Sequence, residues 1–212
     1  DMKGFYINHL KASIDLQLIR DSRIKIAHNA MFGAGQDILS RLFDESMLSC
    51  YHCSVNPSFG GINPEPIPQY TTDFVDFFKE IECDVAIMND GDADRIGMLD
   101  EQGNFVDSHK LFAIILKYLI EERHLPGEVA KTFALTDLID KICQKHKVVM
   151  HEIPIGFKHV SKLMTTNTIL IGGEESGGIG IPSFLPERDG IYIGLLILEM
   201  MTNKEKSLSQ LV

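Results

Sequence analysis

No run of apolar residues in this chain reaches the roughly 18 that a bilayer-crossing helix needs, and the longest extends only from Leu111 to Leu116. The N-terminal stretch also lacks a basic segment followed by an apolar one, the mark of an export signal. We therefore expect no membrane association and a cytoplasmic setting. Clustered cations are missing too. Lys and Arg number 20 against 30 Asp and Glu, for a net charge of -10, whereas a phosphate backbone is held by grouped Lys and Arg. No nucleic-acid partner is expected, and any anionic substrate has to be met by a few local cations.

Cysteine is scarce, with four in the chain. Cys50 and Cys53 form a C-x-x-C around His52, but Cys83 and Cys143 stand alone, so zinc would lack its second ligand pair. A redox pair would open a helix, whereas MLSCYHCSV alternates as a strand does. Four reduced thiols are the expectation. Two glycine motifs are incomplete as well. GAG at Gly33 to Gly35 is followed by Ile38, where the dinucleotide fingerprint has its last glycine. The glycines after Ile171 are not followed by the Lys-Ser or Lys-Thr of a phosphate-binding Walker loop.

What the chain does contain is a strand-then-helix alternation. RIKIAHNA (23–30) reads as a strand, GAGQDILSRLF as a glycine turn into a helix with Ile38, Leu39, Leu42 and Phe43 on one face, and MLSCYHCSV as a second strand. Prolines and glycines make 56–69 a loop, and TTDFVDFFKEI then reads as a helix capped by Thr or Asp. CDVAIMN is continuously apolar, as a strand covered on both faces of a largely parallel sheet should be. RIGMLD and FV flank a turn at Gln102 to Asn104 and make a hairpin.

The pattern then restarts. Helix SHKLFAIILKYLIEERH, with Ser108 as its expected cap, is followed by strand EVAKTFA, helix TDLIDKICQKH capped by Thr136, and strand VVMHEI. A short helix through Phe157, Val160, Leu163 and Met164, strand TILIGG and a final helix after Arg188 and Asp189 complete it. The expected fold is α/β: two tandem α/β/α domains with mixed, mostly parallel sheets, residues 1–104 and 105–212. No residue-level repeat demonstrates a duplication.

Between the third strand and the hairpin, Asp90, Asp92 and Asp94 occupy every second position. In an extended backbone their carboxylates would project to one side, and three close carboxylates repel one another unless a cation sits among them or some take up protons. All-oxygen ligation suits Mg2+ or Ca2+ rather than zinc. A helix-flanked calcium loop also fits in part, because Glu101 falls at its twelfth position. Against it, position six holds Arg95 where that loop needs Gly, and the flanks are strand-like. Arg95 reads better as a fixed cation offering its planar fork to a phosphate.

Further on, IGGEESGGIGIPSFLPERDG (171–190) sets Glu174, Glu175 and Ser176 between glycines, where a ligand can approach the backbone closely and a carboxylate and a hydroxyl can hold sugar hydroxyls. Lys158, near the start of a helix, is placed to hold a phosphate together with backbone N–H groups.

Together these segments resemble the α-D-phosphohexomutases, the family that includes phosphoglucomutase and phosphomannomutase. DGDADR is similar to the family's magnesium loop and GEESGG to its sugar-recognition loop. GFK and ERDG are similar to segments of its third domain, and PSFGGINPEP precedes the metal loop in the same order. The resemblance implies that Asp90, Asp92 and Asp94 ligate Mg2+ and that Arg95 lies by the phosphoserine or the transferring phosphate. It further implies that Glu174 and Ser176 hold sugar hydroxyls and that Lys158 helps to bind a hexose phosphate.

The implied reaction interconverts hexose 1-phosphate and hexose 6-phosphate through an enzyme phosphoserine and a bisphosphate that turns over. Two family segments do not occur here: the T-A-S-H-N-P-like phosphoserine loop of a first domain and the R-x-S-G-T-like phosphate loop of a fourth. The chain thus resembles the middle two of four domains, expected to be inactive alone, with the missing first and fourth domains as partners. The alternative is a noncatalytic metal- or sugar-phosphate-binding protein. The GEESGG form leans toward glucose and mannose substrates rather than glucosamine.

Overall fold

The computed structural model describes residues 1–212. Contacts group Asp1–Val106 with Ile191–Leu211 in one unit, and Asp107–Gly190 with Val212 in another.

The first unit opens with two helices, α1 (Met2–Ser13) and α2 (Leu16–Ser22). Neither was anticipated, although Ile7, Leu10 and Ile14 carry the three-and-four spacing of a buried helical face and are buried. The Asp15 carboxylate caps α2 by accepting the Leu18 N–H at 2.9 Å. Strands β1 (Ile26–Asn29) and β2 (Leu48–Tyr51), helix α3 (Thr72–Glu80), and strands β3 (Val85–Asn89), β4 (Ile96–Leu99) and β5 (Phe105–Val106) follow. The strand order is β2-β1-β3-β4-β5. β1 runs parallel to both β2 and β3, while β4 and β5 are antiparallel. Every residue of β1 and β3 is buried, which is why β3 is apolar without alternation up to Asn89, while β1 buries the polar His28 and Asn29 at its carboxyl end. One side of the sheet packs Phe74 and Phe78 of α3 onto Ala27, Ala86, Met88 and Leu99.

The second unit comprises α4 (Ser108–Glu121), β6 (Glu128–Thr132), α5 (Leu138–His146), β7 (Met150–Ile153), α6 (Phe157–Thr166), β8 (Ile169–Gly173) and β9 (Ile179–Gly180). Its order is β7-β6-β8-β9, with only β9 antiparallel. Both units therefore place their first strand centrally, their second on one side and their third on the other. The strand after the third then turns back. α7 (Gly190–Lys204) and α8 (Leu208–Leu211) end the chain, and no helix is long and apolar enough to cross a membrane.

Several local expectations need correction. By contacts, the final helix groups with the first unit from Ile191 onward. Gly194 lies against β3 there, a Cβ on it falling 3.0 Å from Ile87 Cδ1. The segment GAGQDILSRLF is a run of turns with one 3-10 turn at Leu39–Arg41, not an α-helix. Its N–H groups bond mostly three residues back (Gln36 to Gly33, Ile38 to Gly35, Leu42 to Leu39), with Phe43 alone reaching four back to Leu39, and Ala34 N–H is taken by Gly91 O. Its apolar residues Ile38, Leu39, Leu42 and Phe43 are nonetheless buried.

α4 is capped by Asp107, which accepts the Lys110 N–H at 3.0 Å, while Ser108 Oγ donates to Glu175 O at 2.6 Å. α3 has no side-chain cap, because Thr71 Oγ1 donates backward to Ile67 O at 3.0 Å. α5 has no side-chain cap either: its N-cap position is Asp137, and Thr136 Oγ1 accepts the Leu138 N–H at 3.2 Å from one residue further out.

Candidate functional site

The two loops that carry the expected chemistry occupy the same topological place. Each follows the carboxyl end of the third strand of its unit, beside the point where connections leave to opposite sides, the usual ligand position of open α/β sheets.

In the first unit, one oxygen from each of Asp90, Asp92 and Asp94 lies within 4.8 Å of the others. The backbone does this differently from the expected extended run, in which carboxylates two residues apart start about 7 Å from each other. The chain instead turns: Ala93 N–H bonds to Asp90 O at 3.1 Å, and Ala93 takes a φ of 65°. Neighbouring segments clamp the turn. Ala34 N–H donates to Gly91 O at 2.9 Å, and Gly91 N–H to Pro64 O at 3.1 Å.

Asp90 is 1% exposed. Its Oδ1 accepts the Arg95 N–H at 3.0 Å and its Oδ2 accepts Arg95 Nε at 2.6 Å, while Arg95 Nη1 reaches Glu65 Oε1 at 3.4 Å. Burial opposes the guanidinium charge, but Asp90 and then Glu65 outweigh it and hold the group above its ordinary value.

The donor set fits a hard divalent ion. Around octahedral Mg2+ with bonds of about 2.1 Å, adjacent oxygens are about 3.0 Å apart and opposite ones about 4.2 Å, so the three carboxylate oxygens, already within 4.8 Å of one another, have to close in by at most about 2 Å. A helix-flanked calcium loop is excluded. The flanks are β3 and β4, and Glu101, its twelfth-position residue, is engaged elsewhere. The Glu101 carboxylate accepts Ser207 Oγ at 2.8 Å and the Ser209 N–H at 3.3 Å, as well as Ser209 Oγ.

In the second unit, Glu174 is 5% exposed. Its Oε1 accepts the Gly156 N–H at 2.9 Å, and its Oε2 lies 3.5 Å from Arg188 Nη1. Burial pushes its carboxyl up, against the pull of the Gly156 N–H and Arg188. Arg188 itself stacks over the Phe157 ring at 5.1 Å. Lys158, exposed in the first turn of α6, bends back over the same glycine, its Cε 3.8 Å from where a Gly156 Cβ would be. Lys158 and Glu174 therefore meet at Gly156.

Ser176 is exposed at the tip of the turn, which Glu174 N–H closes on Gly178 O at 2.9 Å. The turn is braced from behind by Glu175, whose Oε2 accepts Thr132 Oγ1 at 2.7 Å and whose carbonyl accepts Ser108 Oγ. Glu65, Gly156, Thr132 and the bracing role of Glu175 were not identified from the sequence, because each acts through a long-range contact that spacing does not encode.

Two doubly wound sheets, one ending in an acidic turn and the other in a Glu-Glu-Ser turn, define the class. The phosphoglucomutase/phosphomannomutase alpha/beta/alpha domain II model matches residues 5–103, and the corresponding domain III model matches residues 107–212. The chain belongs to the phosphoglucomutase/phosphomannomutase family.

A phosphoglucomutase/phosphomannomutase of Thermococcus kodakarensis is 31% identical over 211 residues, covering 98% of this chain and 46% of the relative. A phosphoglucosamine mutase of Solidesulfovibrio magneticus is 28% identical, covering 100% and 47%. A solved structure of a provisionally named phosphomannomutase from Thermus thermophilus superposes with a TM-score of 0.92 at 32% identity, covering 100% of this chain and 49% of that one. The chain spans about half the length of the curated relatives it matches.

Proposed function

We propose that this chain is the metal- and sugar-binding portion of a phosphohexomutase interconverting hexose 1-phosphate and hexose 6-phosphate. The observation that carries this reading is the convergence of Asp90, Asp92 and Asp94 beside an arginine locked by Asp90 and Glu65. Asp90, Asp92 and Asp94 would hold Mg2+, which when bound offsets charge on a phosphoryl group in transfer.

Arg95, with Nε and Nη1 committed to carboxylates, is a fixed cation rather than a mobile one, and suits a phosphate that arrives repeatedly at one spot. Glu174 is held by one backbone N–H and one guanidinium, leaving lone pairs for sugar hydroxyls. Ser176 supplies an exposed hydroxyl, and Lys158, whose side chain lies over Gly156, a cation for the phosphate not being transferred. These side chains bind and orient, but none is a phosphoryl carrier. The chain alone therefore binds without turnover, the covalent carrier residing in family segments it does not contain. Relatives named for glucose, mannose and glucosamine phosphates have similar identities, so a gluco or manno substrate rests on the GEESGG loop.

The test is calorimetric titration of Mg2+ into the metal-free chain, with Asp92→Asn alongside. Asp92 is exposed, so its replacement leaves the fold intact. Saturable binding that the variant weakens supports the reading. Absence of binding at millimolar Mg2+, or equal binding by both proteins, overturns it.

A further inference from the structure

Beneath the acidic turn lies a buried polar pair. His28 of β1 and Asn89 at the end of β3 are 0% exposed, and their side chains meet with His28 Nε2 3.2 Å from Asn89 Oδ1. The direction of this bond follows from what lies beyond it. Asn89 Nδ2 donates to the carbonyl of Arg95 at 3.0 Å, so Oδ1 faces the imidazole, and an amide oxygen can only accept. Nε2 therefore carries the proton. The other ring nitrogen, Nδ1, is then unprotonated and lies 3.6 Å from Cys53 Sγ. That thiol also lies 3.3 Å from Tyr51 O and 3.6 Å from His28 O.

The pair bridges two strands that are joined directly in the sheet, and its far end grips the last residue of the turn. Asp90, at the near end of the turn, follows Asn89 directly in the chain. We infer that His28 and Asn89 are positioning residues for the cation: the Nε2–H tautomer of His28 orients the Asn89 amide, which holds the Arg95 carbonyl and so fixes both ends of the acidic turn.

This inference rests on the metal reading of that turn. The environment agrees with a neutral ring, since burial pushes the imidazole down to about 4 against the opposing Asn89 contact. A pair serving packing alone would contribute to stability without altering the affinity of an ion it does not touch. Residues that orient ligands from behind typically change metal affinity by about 10- to 100-fold when removed.

Two measurements on the 212-residue chain decide the matter. The first is Mn2+ affinity by electron paramagnetic resonance for wild type, His28→Leu, His28→Gln and Asn89→Leu, with a melting curve for each. Leucine at either position should weaken Mn2+ at least about tenfold. His28→Gln, which keeps an N–H donor near the Nε2 position, should stay close to wild type. The second is the long-range 1H–15N spectrum of the wild-type imidazoles, assigned with His28→Gln, in which His28 should show the Nε2–H pattern at neutral pH.

A folded His28→Leu with unchanged Mn2+ affinity overturns the inference while leaving the metal reading standing. So does a folded His28→Gln that binds Mn2+ at least about tenfold more weakly than wild type, or an Nδ1–H spectrum. If the leucine variants do not fold, the glutamine variant and the spectrum still decide. Wild-type protein that fails to bind Mn2+ overturns the metal reading and this inference together.

Discussion

Glu174 accepts the backbone N–H of Gly156 at 2.9 Å, tying the Glu-Glu-Ser turn to the residue that precedes α6. Because burial disfavours the charged carboxylate, Glu174→Gln should leave the melting temperature unchanged or raise it. The same variant should weaken binding of glucose 1-phosphate about tenfold, the worth of a charged hydrogen bond. Paired melting and calorimetric curves check both halves, and binding equal to wild type would remove Glu174 from the sugar site.

Gly156 has a φ of 120°, a region essentially closed to residues with a Cβ. Gly156→Ala should therefore destabilise the chain by roughly 1–3 kcal/mol. The loss should appear as a lower denaturant midpoint at unchanged slope.

Gly33 is limited by space rather than by angle. A Cβ there would stand 2.7 Å from the carbonyl oxygens of both Asp90 and Gly91, and backbone atoms cannot swing aside as a side-chain end can. Gly33→Ala should cost about 1–3 kcal/mol and weaken Mg2+ in the same protein. A variant with wild-type stability and metal affinity would show that the acidic turn is free to shift.

His28 sets a pH dependence. Its folded value of about 4 lies below the ordinary 6.5, so between these two values the unfolded chain binds a proton that the folded chain does not. Stability is fully present above about 6.5 and falls as pH drops toward 4, by roughly 3 kcal/mol from this one ring. Urea unfolding from pH 7 to 4 should show a shallower decline in His28→Gln than in wild type. Parallel profiles would mean that the ring ionises equally in both states.

The C-x-x-C makes a chemical prediction. A hydrogen bond from the Cys53 thiol, partly offset by burial, lowers Cys50 to about 7, while Cys53 is pushed up by its bond to Cys50 and by burial. Cys50 is exposed. Iodoacetamide should modify Cys50 first, with a rate that rises through pH 7, and Cys53→Ala, which removes the donor, should move that midpoint upward. Equal labelling of all four thiols would contradict this.

The sheet architecture was readable because β3 and β8 are buried on both faces and have no polar alternation to confuse them. The aspartates and the Glu-Glu-Ser turn were readable because their residues are adjacent in the chain. What escaped was held by distant partners. The Asn29 to Asp44 connection shows helical spacing at Ile38, Leu39, Leu42 and Phe43, yet its backbone is committed to Gly91 and to three-residue turns. Ser108 was in capping position, but the Glu175 carbonyl claims its hydroxyl. The convergence of the three carboxylates was anticipated for the wrong reason, a strand instead of a turn.

The grouping of Ile191–Leu211 with the first unit also bears on how the chain is made. In order of synthesis strands β1 to β5 precede the second unit, and the helix that packs against Ile87 follows it. Everything between Asp107 and Gly190 emerges while that apolar surface still waits for its cover. The second unit is, in order of synthesis, an insertion that can be complete before the first is closed, and the nascent chain has to keep β3 from wrong partners in the meantime.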